Sequence, residues 1–151
     1  MLQTRVLSLA EVLPLRALVL RNGKLAPEQC VNEGDDHPDT FHTGCVEASE
    51  VMAIATFMRE NYPGYAGQGF RLRGMAVAPE LQGKGLGKKA LQAGIQQLKI
   101  KGIDYLWCNA RKVAYDFYVV QGFQFISEEF EIGDIGPHKV MILKLHSNSE
   151  K

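Results

Sequence analysis

The chain has few of the residues that mark several common protein classes. Of 151 residues only three are cysteine, at Cys30, Cys45 and Cys108, and no C-x-x-C pair occurs. An odd number of isolated cysteines provides neither a disulfide framework nor a structural zinc site. The four histidines are His37, His42, His138 and His146. Around the first two, DDHPDTFH holds Pro38 and runs into an alternating pattern, which does not build a closed ligand set, so no metal is expected. Charge of either sign is not in excess: 17 Lys and Arg face 17 Asp and Glu. A balanced chain has no general attraction to nucleic acid or to an anionic membrane, and neither is an expected partner. No apolar run approaches the ~20 residues of a membrane span. The opening MLQTRVLSLA has one arginine, no long apolar stretch and no small-residue cleavage site, so a secretion signal is not expected and a cytoplasmic location is.

What is present suits one domain with a sizeable core. Hydrophobic residues make up 46% and charged residues 23%, a balance that argues against disorder. A single domain over 1–146 and a polar tail over 147–151 are the expected division. QTRVLS reads as a strand. AEVLPLRALVLRNG reads as a helix with Pro14 in its first turn and Gly23 at its end. KLAPEQCVNEGDDHPD is a polar loop with one short helical turn. TFHTGCVE and VMAIATFMRE alternate around a turn at ASE and form a hairpin. FRLRGMAVAP is a third alternating strand, stopped by Pro79. Helical spacing then runs from Leu86 to Gly102. IDYLWCNA is a strand, RKVAYDFYVVQG a short helix closed by Gly122, and FQFISEEFEI and HKVMILKL are strands. The order β-α-β-β-β-α-β-α-β-β predicts an α/β (α+β) chain with a mixed, mostly antiparallel sheet and flanking helices.

The segment ELQGKGLGKKAL joins the third strand of that meander to the following helix. Its glycines are spaced G-x-G-x-G, so it lacks the dinucleotide pattern G-x-G-x-x-G. It is no P-loop either, because Gly87-Lys88 is followed by Lys89 where a hydroxyl is needed for magnesium. Two readings stay open on the loop alone. Glycines let several N–H groups turn inward at a helix start, which favours an anion, and Lys84, Lys88 and Lys89 add charge. The other reading is a tight solvent turn.

The motifs together resemble the GNAT family of N-acetyltransferases. Gln82-Gly83-Lys84-Gly85-Leu86-Gly87 fits that family's Q/R-x-x-G-x-G/A motif, after the MAVAPE strand end. AYDFYVVQGF fits A-x-x-F-Y-x-x-x-G-F, with Ala114, Phe117, Tyr118, Gly122 and Phe123 in register. The element order fits from end to end. The resemblance implies the acyl-CoA N-acyltransferase fold and acetyl-CoA (coenzyme A) as donor, with no metal. It implies that the N–H groups from Gln82 to Lys88 hold the pyrophosphate at the helix start. It places the pantetheine arm along Met75, Ala76 and Val77 and near Asn109. It assigns Tyr118 as the general acid beside the sulfur, a role typically worth about 10²–10⁴-fold.

Direct transfer to an amine also needs an oxyanion donor, for which a backbone N–H near Met75 or Val77 is suited, with Gly74 fitting a bulge that aims it. The base is not fixed by a motif. His138, at the start of the last strand, and His42, on a strand at the presumed acceptor side, are candidates, and Glu131 is a weaker one. A water chain also suffices. Arg71 and Arg73 alternate with Met75 and Val77; an arginine in a pocket would suggest a carboxylate on the acceptor. The acidic loop from Glu28 to Asp39 would instead attract a cationic amine such as a polyamine or an aminoglycoside. Cys108 is expected to be a buried thiol rather than a nucleophile. The expected partner is a small-molecule amine, with His42, Arg73 and His138 on its side. The competing readings are acetylation of a protein or peptide and a non-catalytic acyl-CoA sensor. The resemblance also allows a homodimer paired through edge strands.

Overall fold

The computed structural model describes residues 1–146; the polar tail at 147–151 lies outside the described residues. The chain forms two compact units. One comprises Met1–Arg59 and Leu72–Gln97, the other Glu60–Arg71 and the chain from Leu98 onward.

In the first unit, β1 (Gln3–Leu7) pairs antiparallel with β2 (Phe41–Glu47), and β2 with β3 (Glu50–Arg59). Ala48 and Ser49 turn the hairpin, both at positive φ (51° and 69°). That geometry matches the twist of a two-residue hairpin but favours Asn and Gly, so these residues hold it at a cost. The strand β4 (Gly69–Val77) neighbours β3, and its residues from Leu72 belong to this unit. Leu7, Val12, Leu15, Val46, Ile54, Ala76 and Ala78 pack into one core cluster. The helix α2 (Leu86–Ile100) buries Leu86, Ala90, Leu91 and Ile95, the stripe its 3.6-residue spacing predicts. A Cβ on Gly94 would fall inside the ring of Phe57, so that glycine lets the helix and β3 meet.

The first helix differs from expectation. Ser8 caps it, its hydroxyl accepting from the Glu11 N–H while the Glu11 side chain accepts from the Ser8 N–H. The helix α1 therefore runs over Leu9–Leu15, and Pro14 is not in its first turn but near its end. Proline has no N–H for the turn below it. The next residues, Arg16–Leu20, form a wider π turn closed by the Arg21 N–H on the Arg16 carbonyl (3.2 Å). Arg16 is turned inward there and is 2% exposed.

In the second unit, Gly69–Arg71 of β4 pair parallel with β5 (Tyr105–Arg111), and β5 pairs antiparallel with β8 (Gly136–Lys144). The short helix α3 (Tyr115–Val120) follows β5. FQFISEEFEI is not one strand. It splits into β6 (Gln124–Phe125) and β7 (Phe130–Ile132), both antiparallel to β8. Ser127 causes the break: its Oγ accepts the Val140 N–H (2.8 Å) in place of a backbone carbonyl. Tyr105, Trp107, Val140 and Ile142 form the core, with Tyr62, Tyr65, Ile126 and Phe130 against it. With one parallel pair among antiparallel ones and helices beside them, the pairing is mixed, as the element order predicts. No helix of the described residues is long and apolar enough to cross a membrane.

Candidate functional site

The glycine loop belongs to the first unit. Gly83 and Gly85 have φ of +83° and +82°, and nothing lies within 4 Å of a Cβ built on either. Conformation rather than space therefore requires glycine at both positions. The side chain of Gln82 donates to the Val77 carbonyl (3.3 Å) and ties the loop to the end of β4. The first paired N–H of α2 is that of Lys89, on the Gly85 carbonyl (3.2 Å). Among the described residues, the N–H groups from Gly83 to Lys88 donate to no backbone carbonyl. Such orphan donors at a helix start, with the dipole behind them, are what an anion uses. Gln82, Lys84 and Lys88 are exposed beside them. A Cβ on Gly87 would lie 3.0 Å from Met75 Cε and 3.2 Å from Val77 Cγ2. The start of α2 thus rests on Met75 and Val77, while Ala76 points into the core.

Gly74, just before them, has φ +60°, the irregular backbone expected there. A Cβ on it would lie 3.2 Å from Arg16 Nε. The Arg16 guanidinium is the hub of a buried network. It makes a two-point ion pair with Asp35, Nη1 to Oδ2 at 2.7 Å and Nη2 to Oδ1 at 2.9 Å. Nη1 also donates to the Cys30 carbonyl (3.0 Å) and Nη2 to Thr56 Oγ1 (2.9 Å). Its Nε has no partner. His42, 4% exposed, meets Thr56 Oγ1 through Nδ1 at 2.8 Å. Burial and the Arg16 charge lower the His42 pKa against the weaker pull of Asp35, so the ring is neutral. Burial raises the Asp35 pKa, but the hydrogen bonds from Arg16 and from the Asn32 N–H, with the Arg16 charge, outweigh it and hold the carboxyl below its usual range. Sequence reading missed Arg16 and Thr56. The visible signal was an arginine inside the apolar run LPLRALVL, which a surface helix would not favour.

The acidic loop is less anionic than it reads. Asp35 is consumed by Arg16, and Asp39 pairs with Arg59 (2.9 Å). The exposed acids left are Glu28, Glu33 and Asp36. Arg73 is half-buried on β4.

The second unit places Tyr118 on α3, buried between Phe117 and Phe123 with ring centroids 5.1 and 5.2 Å away. Burial, helped by Cys108 and opposed by Arg111, raises its pKa, so the hydroxyl stays protonated at neutral pH. Burial also pushes the Cys108 thiol up to about 12, against a smaller effect of Arg71, which removes its nucleophilic form. Asn109 is half-buried on β5, opposite Val140. His138 is buried on β8 between Arg111 and Phe130. Its Nδ1 lies 2.8 Å from the Gly136 carbonyl. A carbonyl only accepts, so Nδ1 carries a proton and the neutral ring keeps its lone pair on Nε2. Glu131 is exposed on β7. Arg71 meets Glu60 (3.5 Å) and lies over the Trp107 ring (5.0 Å), a strand-face pairing. No cluster of potential metal ligands occurs among the described residues.

Comparison with known proteins bears on the family and the fold. The model of the Acetyltransferase (GNAT) family matches residues 11–123. YitI of Bacillus subtilis, described as an uncharacterized N-acetyltransferase, is 28% identical over 149 residues, covering 98% of this chain and 99% of that protein. Escherichia coli ElaA matches in structure with a TM-score of 0.75 at 21% identity, over 94% of this chain and 97% of that one. FeeM, described as an N-acyl amino acid synthase from uncultured soil microbes, matches with a TM-score of 0.78 at 12% identity, over 96% and 91%. At such identities the structural matches establish the fold.

Proposed function

The chain belongs to the GNAT family of acetyltransferases, and on that premise we propose that it transfers the acetyl group of acetyl-CoA directly to a primary amine of a small molecule. The observation that carries this reading is the loop from Gln82 to Lys88. Its two positive-φ glycines and its N–H groups from Gly83 to Lys88, which have no backbone partners, fit a pyrophosphate at the start of α2. They also remove the need for a magnesium-binding hydroxyl, since the phosphates act as a handle and are not transferred.

Acetyl-CoA, when bound, supplies an activated thioester carbonyl. The chain supplies the rest. Met75, Ala76, Val77 and Asn109 would hold the pantetheine arm. A backbone N–H near Met75 or Val77 donates to the carbonyl oxygen as negative charge develops on it. Tyr118, kept protonated by burial, gives its proton to the departing sulfur. His138 takes the amine proton on Nε2, the nitrogen that the Gly136 carbonyl leaves unprotonated. Arg73 and His42 contact the acceptor. This set is what direct transfer to an amine requires.

The test is release of free CoA thiol across a panel of amines. One or more small amines should give release that saturates with amine concentration. Tyr118→Phe should lower turnover about 10²-fold or more and leave acetyl-CoA affinity nearly unchanged. Equal turnover in Tyr118→Phe would remove Tyr118 from the acid role, and release with peptides alone would overturn the acceptor class.

A further inference from the structure

The buried network around Arg16 does more than hold the acidic loop. An arginine donates only, and its Nη2 donates to Thr56 Oγ1 at 2.9 Å. Thr56 is fully buried, so its hydroxyl proton needs an acceptor inside the protein. The acceptor in reach is His42 Nδ1, at 2.8 Å. The hydroxyl therefore donates to Nδ1, and the proton of the neutral ring sits on Nε2. A second proton, on Nδ1, would set two donors against Thr56 Oγ1 and leave the hydroxyl without a partner. His138 has the opposite arrangement, because a carbonyl and not a hydroxyl faces its Nδ1.

We propose that Arg16 is a positioning residue: held by Asp35, it fixes Thr56 as a donor and thereby fixes His42 as the neutral Nε2–H tautomer, so that His42 meets the acceptor as a hydrogen-bond donor and not as a base. This rests on the reading of His42 as a residue on the acceptor side. It also narrows the acceptor. A fixed N–H donor recognises an oxygen, so the fitting acceptor is an amine with a carbonyl or carboxylate close to it. The protonated amines of a plain polyamine at neutral pH donate only and offer this N–H no acceptor. The pairing of Asp35 and Asp39 within the protein, which weakens the acidic loop as a polyamine lure, points the same way.

The tautomer is read by NMR of protein labelled with ¹⁵N in histidine, free of donor and acceptor, from about pH 8 to about pH 6. His42 should show an unprotonated Nδ1 and a protonated Nε2 throughout. Thr56→Val should shift the Nδ1 signal and Thr56→Ser should restore it. A proton on Nδ1 in the wild type, or an Nδ1 signal that ignores Thr56→Val, would overturn the proposal. In the CoA-release assay the effect of His42 variants should fall on the KM of the carbonyl-bearing amine, and less in His42→Gln, which keeps an N–H donor, than in His42→Leu. His42→Leu should raise the KM of the carbonyl-bearing amine by about 5–100-fold with a smaller effect on kcat. Loss of turnover in His42→Gln would make His42 a base and overturn the proposal. CoA release from no amine, with the expected tautomer present, would instead refute the transferase reading and with it the contact of His42 with an acceptor.

Discussion

Replacing Asp35 with asparagine should unfold this protein at a markedly lower temperature, and the size of the loss follows from the burial of its partner. The Asp35 and Arg16 side chains are 0% and 2% exposed, with two contacts of 2.7 and 2.9 Å between them. Asparagine keeps the shape and one acceptor but leaves the guanidinium charged in a place without water. Breaking a buried pair from one side costs about 3–5 kcal/mol. In a domain of this size each kcal/mol moves the melting temperature by about 2–4 °C, so the fall should be roughly 10 °C. Calorimetry or thermal unfolding followed by circular dichroism measures it. The loss should be nearly the same at low and high salt, because a buried pair is poorly screened. Removing both charges together, with Arg16→Met and Asp35→Leu, should recover much of it. The pH dependence has a definite sign. The folded-state pKa of Asp35 is lowered, so its contribution is complete above the ordinary carboxylate range, near pH 4, and is lost as pH falls through the folded value. Asp35→Asn should remove that part of the acid limb. A melting temperature within about 1 °C of wild type would refute the reasoning, since an exposed ion pair behaves that way.

Two further predictions concern packing and turns. Gly94→Ala should destabilise by about 1–3 kcal/mol in the same unfolding assay, because its Cβ would enter the ring of Phe57, which is itself stacked on Phe41 with centroids 5.0 Å apart; no loss would mean that α2 and β3 pack otherwise. Ser49→Gly should stabilise by up to about 1 kcal/mol, the roughly 1–2 kcal/mol of strain at φ +69° less the roughly 0.4–1 kcal/mol of extra unfolded-chain entropy of glycine, and a loss would show that the turn has another geometry.

The sequence carried the elements whose chemistry is local. The glycine loop, the stripe on α2 and the AYDFYVVQGF helix are each set by residues a few positions apart, and all three stand where their patterns place them. Gly74 was legible as well, because glycine inside a strand marks irregular backbone. What was not legible depends on distant partners. Arg16 meets Asp35 and Thr56 across 19 and 40 residues, and neither spacing leaves a periodic trace. Pro14 suggested a helix start, but the Ser8–Glu11 capping box set the start earlier. The β6–β7 break rests on one serine hydroxyl that replaces a carbonyl, a substitution that alternation of apolar residues cannot reveal. The acidic loop misled for the same reason: its net charge is visible in sequence, but the pairing that cancels part of it is not.

The central claim is that the loop from Gln82 to Lys88 holds acetyl-CoA, and the most direct measurement is the ligand-induced shift in melting temperature of wild type beside Gly85→Val. A valine at φ +82° in open space strains the loop without touching the core. At about 100 times Kd, acetyl-CoA should stabilise the wild type by about 2.7 kcal/mol, a rise of roughly 5–10 °C, while ATP and NAD do little. Gly85→Val should fold and lose most of that rise. An undiminished rise in Gly85→Val, or a wild type stabilised by ATP or NAD but not by acetyl-CoA, would contradict the account.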